Sequence, residues 1–251
     1  MNTINKLNLA GVMGIVADRM IPMAEDLLNA HAGNIHSIHL VGSAAISDYN
    51  ERISDINSVV VLKDMDLKFV AFLAPLGKKY GKKKLAAPLV MTPEYIAQSL
   101  DVFPVEFLDF KLIHKTVYGG DLFKDLVIER PHLRLQAERD IKTRVIGVRQ
   151  GFISSLGKRD ALSSALVRSI TGSMALFRAI IVLLDREPPV ARQEVVKTFG
   201  EATGIETAIF ETLLRLKAGS IKPSGHELQA LFELYYHALE AIGTIIDELR
   251  V

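Results

Sequence analysis

The chain has 251 residues, 49% of them hydrophobic, a formal net charge of +1 and no cysteine. That length allows one large core or two smaller ones. Without cysteine there can be neither disulfides nor thiolate metal sites, and near-neutral charge gives no global drive toward nucleic acid or membrane.

The N-terminus lacks a basic start leading into a long apolar run, and Asp18 and Arg19 soon interrupt its apolar residues. The most apolar later window, 161–184, is broken by Arg168 and Arg178, which is unlike a membrane span. A soluble, cytoplasmic protein is the expectation. Residues 7–32 carry apolar positions at helical spacing, from Leu9 through Val16 and Met20 to Leu28, with Pro22 as a kink or break and Gly33-Asn34 as a stop. The stretch 37–62, SIHLVGSAAISDYNERISDINSVVVL, reads as a buried strand, a Gly-Ser turn, a polar excursion and a second buried strand entered through Asp55. A helix is expected over 66–80 with a break or bend at Pro75, then a mobile basic segment, GKKYGKKK, and a short strand over 85–91. Thr92-Pro93-Glu94 should start a helix, with Thr as cap and Pro at the first helical position. Residues 103–113, FPVEFLDFKLI, read as a further strand. Strands alternating with helices to this point argue for an α/β sheet.

From about residue 128 strand character fades. Helices are expected over 133–151, 161–184, 190–199, 206–217 and 227–249, with Gly, Pro or Ser breaks between them. The predicted architecture is an α/β (α+β) domain with a mixed sheet over 1–130 and an all-α helical bundle over 131–251.

The chemistry centres on the 37–62 stretch. Gly42 permits backbone angles closed to other residues and leaves room for a ligand to approach the main chain. Ser43 adds a hydroxyl and an amide N–H, and a helix starting there would favour an anion such as phosphate. Asp55 and Asn57, two apart on a strand, share one sheet face. Mg²⁺ is usually held by one or two carboxylates plus substrate phosphates. A phosphate-cradling turn beside such a strand suits phosphoryl or nucleotidyl transfer. Within FPVEFLDF, Glu106 and Asp109 would point to opposite faces of a regular strand, so one of them could join the site. Gly-Ser after a strand is also a common turn, and an Asp before a buried strand a common edge residue.

The order apolar residue, Gly-Ser, eleven residues, then Asp-x-Asn resembles the signature of the DNA polymerase beta-like nucleotidyltransferase superfamily, most nearly bacterial nucleotidyltransferase-domain proteins and aminoglycoside adenylyltransferases. The resemblance implies a nucleotidyltransferase domain with a helical bundle after it. It further implies transfer of a nucleoside monophosphate from a nucleoside triphosphate to an acceptor hydroxyl, with Mg²⁺ as cofactor. Carried over, Gly42 and Ser43 bind nucleotide phosphates, while Asp55, Asn57 and Glu106 form the catalytic, metal-holding set, with Asp109 as the rival of Glu106. The family has a second Asp or Glu where this chain has Asn57, so a catalytically weak nucleotide sensor or interaction module is the alternative. The acceptor is not named by the sequence, and the oligomeric state, monomer or homodimer, is left open.

Other features weigh less. The lysines at 78, 79, 82, 83 and 84 could steer an anion, but a solvated loop explains them more simply, and no aromatics are interleaved for a nucleic-acid groove. The seven histidines show no His-x-x-x-His spacing, so no zinc site is expected. The arginines at 134, 139, 144 and 149 read as exposed ion-pairing residues on a helix. No Arg-x4-6-His nuclease motif occurs in 131–251.

Overall fold

The structure is a computed structural model and describes residues 7–46, 48–51 and 54–250. Helix α1 (Gly14–His31) contains Pro22 without ending there. Its buried stripe of Val16, Met20, Met23, Ala24, Leu27 and Leu28 packs with Ile38, Leu40, Val60 and Leu62 in one core. Strand β1 (Ile35–Val41) follows, then a single 3-10 turn over Gly42–Ala45, then strand β2 (Asn57–Leu62). Helix α2 (Leu67–Gly81) is capped by Asp66, whose side chain accepts from the Lys68 N–H. It runs through Pro75 and takes in residues 77–81 of the lysine segment, which are helical there. Lys78 and Lys79 lie in its last turn, where the helix dipole favours cations. Lys79 Nζ and the Tyr80 hydroxyl both bond the Asp26 carboxylate of α1 at 2.6 Å, holding that carboxyl below its usual value.

Strand β3 (Leu89–Met91) leads into α3 (Pro93–Gln98), where the Thr92 hydroxyl accepts from the Tyr95 N–H as the sequence predicts. Residues 104–112 then depart from expectation. They form helix α4 (Pro104–Leu112), not a strand. Proline suits the first helical position, and Val105, Phe107 and Leu108 are buried at spacings that strict alternation would not give. The fourth strand is instead β4 (His114–Gly119), which the sequence reading passed over.

The sheet order is β3-β2-β1-β4, with β1 antiparallel to β2 and β4, and β2 parallel to β3. It is mixed, as predicted. Even-numbered residues of β1 and β2 face the α1 core, so Ser37, His39 and Val41 share the opposite face with Asn57, Val59 and Val61. Gly119 closes β4 at φ +78°, with its Cα side against the His36 carbonyl.

The remaining elements are helices: α5 (Arg130–Ser155), α6 (Arg159–Ile170), α7 (Ser173–Leu183), α8 (Arg192–Thr203), α9 (Ala208–Lys217) and α10 (Gly225–Glu248). The single helix expected over 161–184 is two, because Thr171 is extended and Gly172 takes φ +76°. The rings of Phe177, Phe199, Phe210 and Tyr235 form an edge-to-face and stacked cluster at the centre of this helical core. Ser224 and Glu227 make a reciprocal capping box at the start of α10. Among the described residues no single helix is long and apolar enough to cross a membrane. The chain divides into two compact units, one of residues to Leu100 with Phe107–Val127, the other of Asp101–Glu106 with the residues from Ile128 onward.

Candidate functional site

Strand β1 ends at Val41, and the chain turns at once through Gly42, whose φ of +67° lies in the region that favours glycine. A methyl group added there would meet nothing within 4 Å, so the space beside this backbone is open. Ser43 follows, half-buried. Val41 pairs across the sheet with Asn57, which brings the end of β2 beside the turn. One residue earlier, Ile56 continues the sheet: its N–H donates to the Lys84 carbonyl at 2.8 Å, and its carbonyl accepts from the Ala86 N–H at 3.0 Å. Ile56 is buried in the α1 core, so Asp55 and Asn57 on either side project to the opposite face, and both are exposed. Gly42, Ser43, Asp55 and Asn57 thus gather at one end of the sheet. The intervening residues 47, 52 and 53 lie outside the described set.

The two carboxylates read from 103–113 are not with them on a strand. Glu106 lies in the first turn of α4 and belongs to the helical unit, where its Oε2 accepts from Gln136 Nε2 at 2.7 Å. Gln136 Oε1 accepts in turn from the Val105 N–H at 2.9 Å, so one buried amide fixes both the start of α4 and its Glu. Asp140, one turn along α5, has its carboxyl raised above the usual value by burial and then by the negative charge of Glu106. Asp109, three residues after Glu106 on the same helix, belongs to the sheet-bearing unit. Neither later strand supplies an acid: β3 is Leu-Val-Met and β4 is His-Lys-Thr-Val-Tyr-Gly.

A second group on the exposed-Asn57 face of the sheet went unread in the sequence. His39 of β1 pairs with Thr116 of β4, and Val41 with His114, so the two histidines are diagonal neighbours on one face. His39 is fully buried, with Nε2 2.8 Å from Ser37 Oγ and Nδ1 3.0 Å from Thr116 Oγ1. Burial, then the nearby His114, pushes its pKa down to about 4, so it is neutral near pH 7. The His114 ring lies between the Phe110 carbonyl, 2.7 Å from Nδ1, and Asp121 Oδ1, 2.9 Å from Nε2. No His-x-x-x-His spacing announces this cluster, because sheet pairing and not helical pitch assembles it.

No protein-family model matches the chain, and no curated protein does. Among solved structures it is similar to the spectinomycin adenyltransferase AAD(9) from Enterococcus faecialis, solved with ATP and spectinomycin, at a TM-score of 0.54 over 89% of this chain and 99% of that one. The chain shares its fold with that adenyltransferase. At 11% sequence identity the likeness speaks for fold alone. It agrees with the predicted order of a mixed sheet followed by helices.

Proposed function

We propose that the chain binds a nucleoside triphosphate at the Gly42–Ser43 turn and that its reaction is transfer of the nucleoside monophosphate to an acceptor hydroxyl, run on a reduced metal set. The observation that supports this most is the convergence of the positive-φ Gly42, Ser43, Asp55 and Asn57 at one end of the sheet in a nucleotidyltransferase fold. The AAD(9) structure, by its description, holds ATP and spectinomycin. That favours a nucleotide here and leaves the acceptor of this chain unnamed.

One carboxylate and one amide oxygen are hard donors that fit Mg²⁺, which commonly takes one or two carboxylates and completes its shell with water and phosphate oxygens. Asp55 and the Asn57 carbonyl oxygen would hold it, and it would offset triphosphate charge as the leaving group departs. Open backbone at Gly42 and the hydroxyl and amide of Ser43 would orient the phosphates.

A second reading has its own support. Asn57 is neutral, and neither β3 nor β4 carries an acid, so Asp55 is the one carboxylate among the described residues of these strands and their entry. Such a site suits a nucleotide sensor or interaction module that binds without turnover. Melting temperature with ATP, GTP, CTP and UTP, each with and without Mg²⁺, tests the shared step. A ligand at 100 times its Kd stabilises by about 2.7 kcal/mol. No rise with any nucleotide sinks both readings. If binding is seen, release of pyrophosphate by the wild type supports transfer, whereas release only after Asn57→Asp supports the sensor.

A further inference from the structure

The His39, His114 and Asp121 side chains offer one donor atom each, and these lie within 4.8 Å of one another. The hydrogen bonds around them require a positive charge in their midst. The Phe110 carbonyl can only accept, so His114 Nδ1, at 2.7 Å, carries a hydrogen. In a neutral imidazole that leaves Nε2 with a bare lone pair, facing Asp121 Oδ1 at 2.9 Å. An ionised carboxylate has no hydrogen to give either. Oδ1 is instead fixed as an acceptor by the Phe123 and Lys124 N–H groups, at 3.1 and 3.2 Å. Two lone pairs face each other across a hydrogen-bond distance, and only a proton or a metal ion between them makes that arrangement attractive.

We propose that this group is a binding site for a divalent transition metal of the Zn²⁺ class, with His39, His114 and Asp121 as ligands and water in the fourth position. It is separate from the nucleotide site proposed above and independent of that reading. Four features select a metal over a proton. The Nδ1–H of His114 on a backbone carbonyl is the usual outer bond of a metal-ligating imidazole, fixing tautomer and ring orientation. The partners of His39, Ser37 and Thr116, are rotatable hydroxyls that can release one ring nitrogen to a metal while the other keeps its bond. The Phe123 ring covers both histidines, with centroids 4.6 and 5.5 Å away, and gives the site a low-dielectric wall. Asp121, with its side chain 37% exposed, leaves an entry path and room for water.

Two imidazoles and one carboxylate are donors for Zn²⁺, Co²⁺ or a similar borderline ion, not for Mg²⁺ or Ca²⁺, which take oxygen. Tetrahedral ligands about 2.1 Å from zinc sit about 3.4 Å apart. The Nε2–Oδ1 distance of 2.9 Å would thus open by about 0.5 Å on loading, within reach of a partly exposed Asp side chain.

The test is titration of the full chain, stripped with EDTA, with Co²⁺ and then Zn²⁺. One Co²⁺ per chain is expected, with the visible absorption of a low-symmetry nitrogen–oxygen site that Zn²⁺ then bleaches. Losing even an outer-shell partner costs metal sites about 10–100-fold in affinity, so His114→Ala and Asp121→Asn should each weaken binding by at least that factor. Asp55→Ala should bind Co²⁺ like the wild type, which separates this site from the proposed nucleotide site. The proposal is overturned if no stoichiometric Co²⁺ binds, or if binding survives both variants. It is overturned equally if imidazole NMR shows His114 keeping both N–H protons in saturating Zn²⁺, the mark of a plain ion pair. Should His114→Ala fail to fold by circular dichroism, the conservative Asp121→Asn decides alone.

Discussion

Replacing Gly42 with alanine separates the fold from the ligand at this turn. The residue takes φ +67°, a region that costs an L-residue roughly 1–2 kcal/mol. The new methyl would meet no atom within 4 Å, so no steric term adds to that cost. For a chain of this size, 1 kcal/mol moves the midpoint of melting by about 2–4 °C, giving an expected drop of about 2–8 °C for Gly42→Ala. The protein should stay folded and its far-ultraviolet circular dichroism should be unchanged. Nucleotide response is another matter. A triphosphate seated on the turn must approach the main chain where glycine leaves room, and a methyl there blocks it. The rise in melting temperature with nucleoside triphosphate and Mg²⁺ should therefore shrink sharply in Gly42→Ala, more than in Ser43→Ala, which removes one hydroxyl and keeps the amide. If Gly42→Ala melts a few degrees lower yet shows the full nucleotide-dependent rise, phosphate does not sit on this backbone and the reading of the turn fails.

Gly119 makes the contrasting case. Its φ of +78° carries a similar backbone cost, but an added Cβ would collide with the His36 carbonyl oxygen and lie 2.9 Å from Ser37 Cα, so β4 must move off β1. Gly119→Ala should lose several kcal/mol in urea unfolding, clearly more than the roughly 1–2 kcal/mol of Gly42→Ala; equal losses would show that the β1–β4 register is softer than its close approach implies. In the helical unit, burial and the charge of Glu106 raise the Asp140 carboxyl. The folded state then holds its proton more tightly than the unfolded state, so stability falls as pH rises from the ordinary carboxylate value through the raised one. Asp140→Asn removes that loss. It should melt higher than the wild type at pH 7 and converge with it as pH falls toward 4, while a lower melting temperature at pH 7 would mean that Arg139 and Arg144 outweigh the burial.

What could be read in the sequence was what is local along it. Gly42, Ser43, Asp55 and Asn57 fall within a short span, each spacing fixed by strand alternation or by a turn, and the structure gathers them at one end of the sheet. Residues 103–113 misled because Phe103, Val105 and Phe107 alternate like a strand while Leu108, Phe110 and Ile113 do not. Burial of three positions in four, Val105, Phe107 and Leu108, fits a helix and not strict strand alternation. Strand β4 escaped notice for the opposite reason. Of its six residues only Val117 is fully buried, because it is an edge strand whose other positions are polar or half-exposed.

That missed edge is where the second cluster lies. Asn57, Val41 and His114 form one row across three paired strands, and two strand spacings of about 4.8 Å put His114 roughly 10 Å from Asn57. The pattern that the 37–62 stretch resembles has a second acid where this chain has Asn57. This face has Asp55 and Asn57 at one end of the row and, at the other, two imidazoles backed by Asp121. If both sites bind as proposed, the oxygen donors at Asp55 and Asn57 favour Mg²⁺ and the nitrogen-rich set at His39 and His114 favours a borderline ion. Measuring Mg²⁺ and Co²⁺ against the same pair of variants, Asp55→Ala and Asp121→Asn, resolves that difference, because each substitution should affect only its own ion.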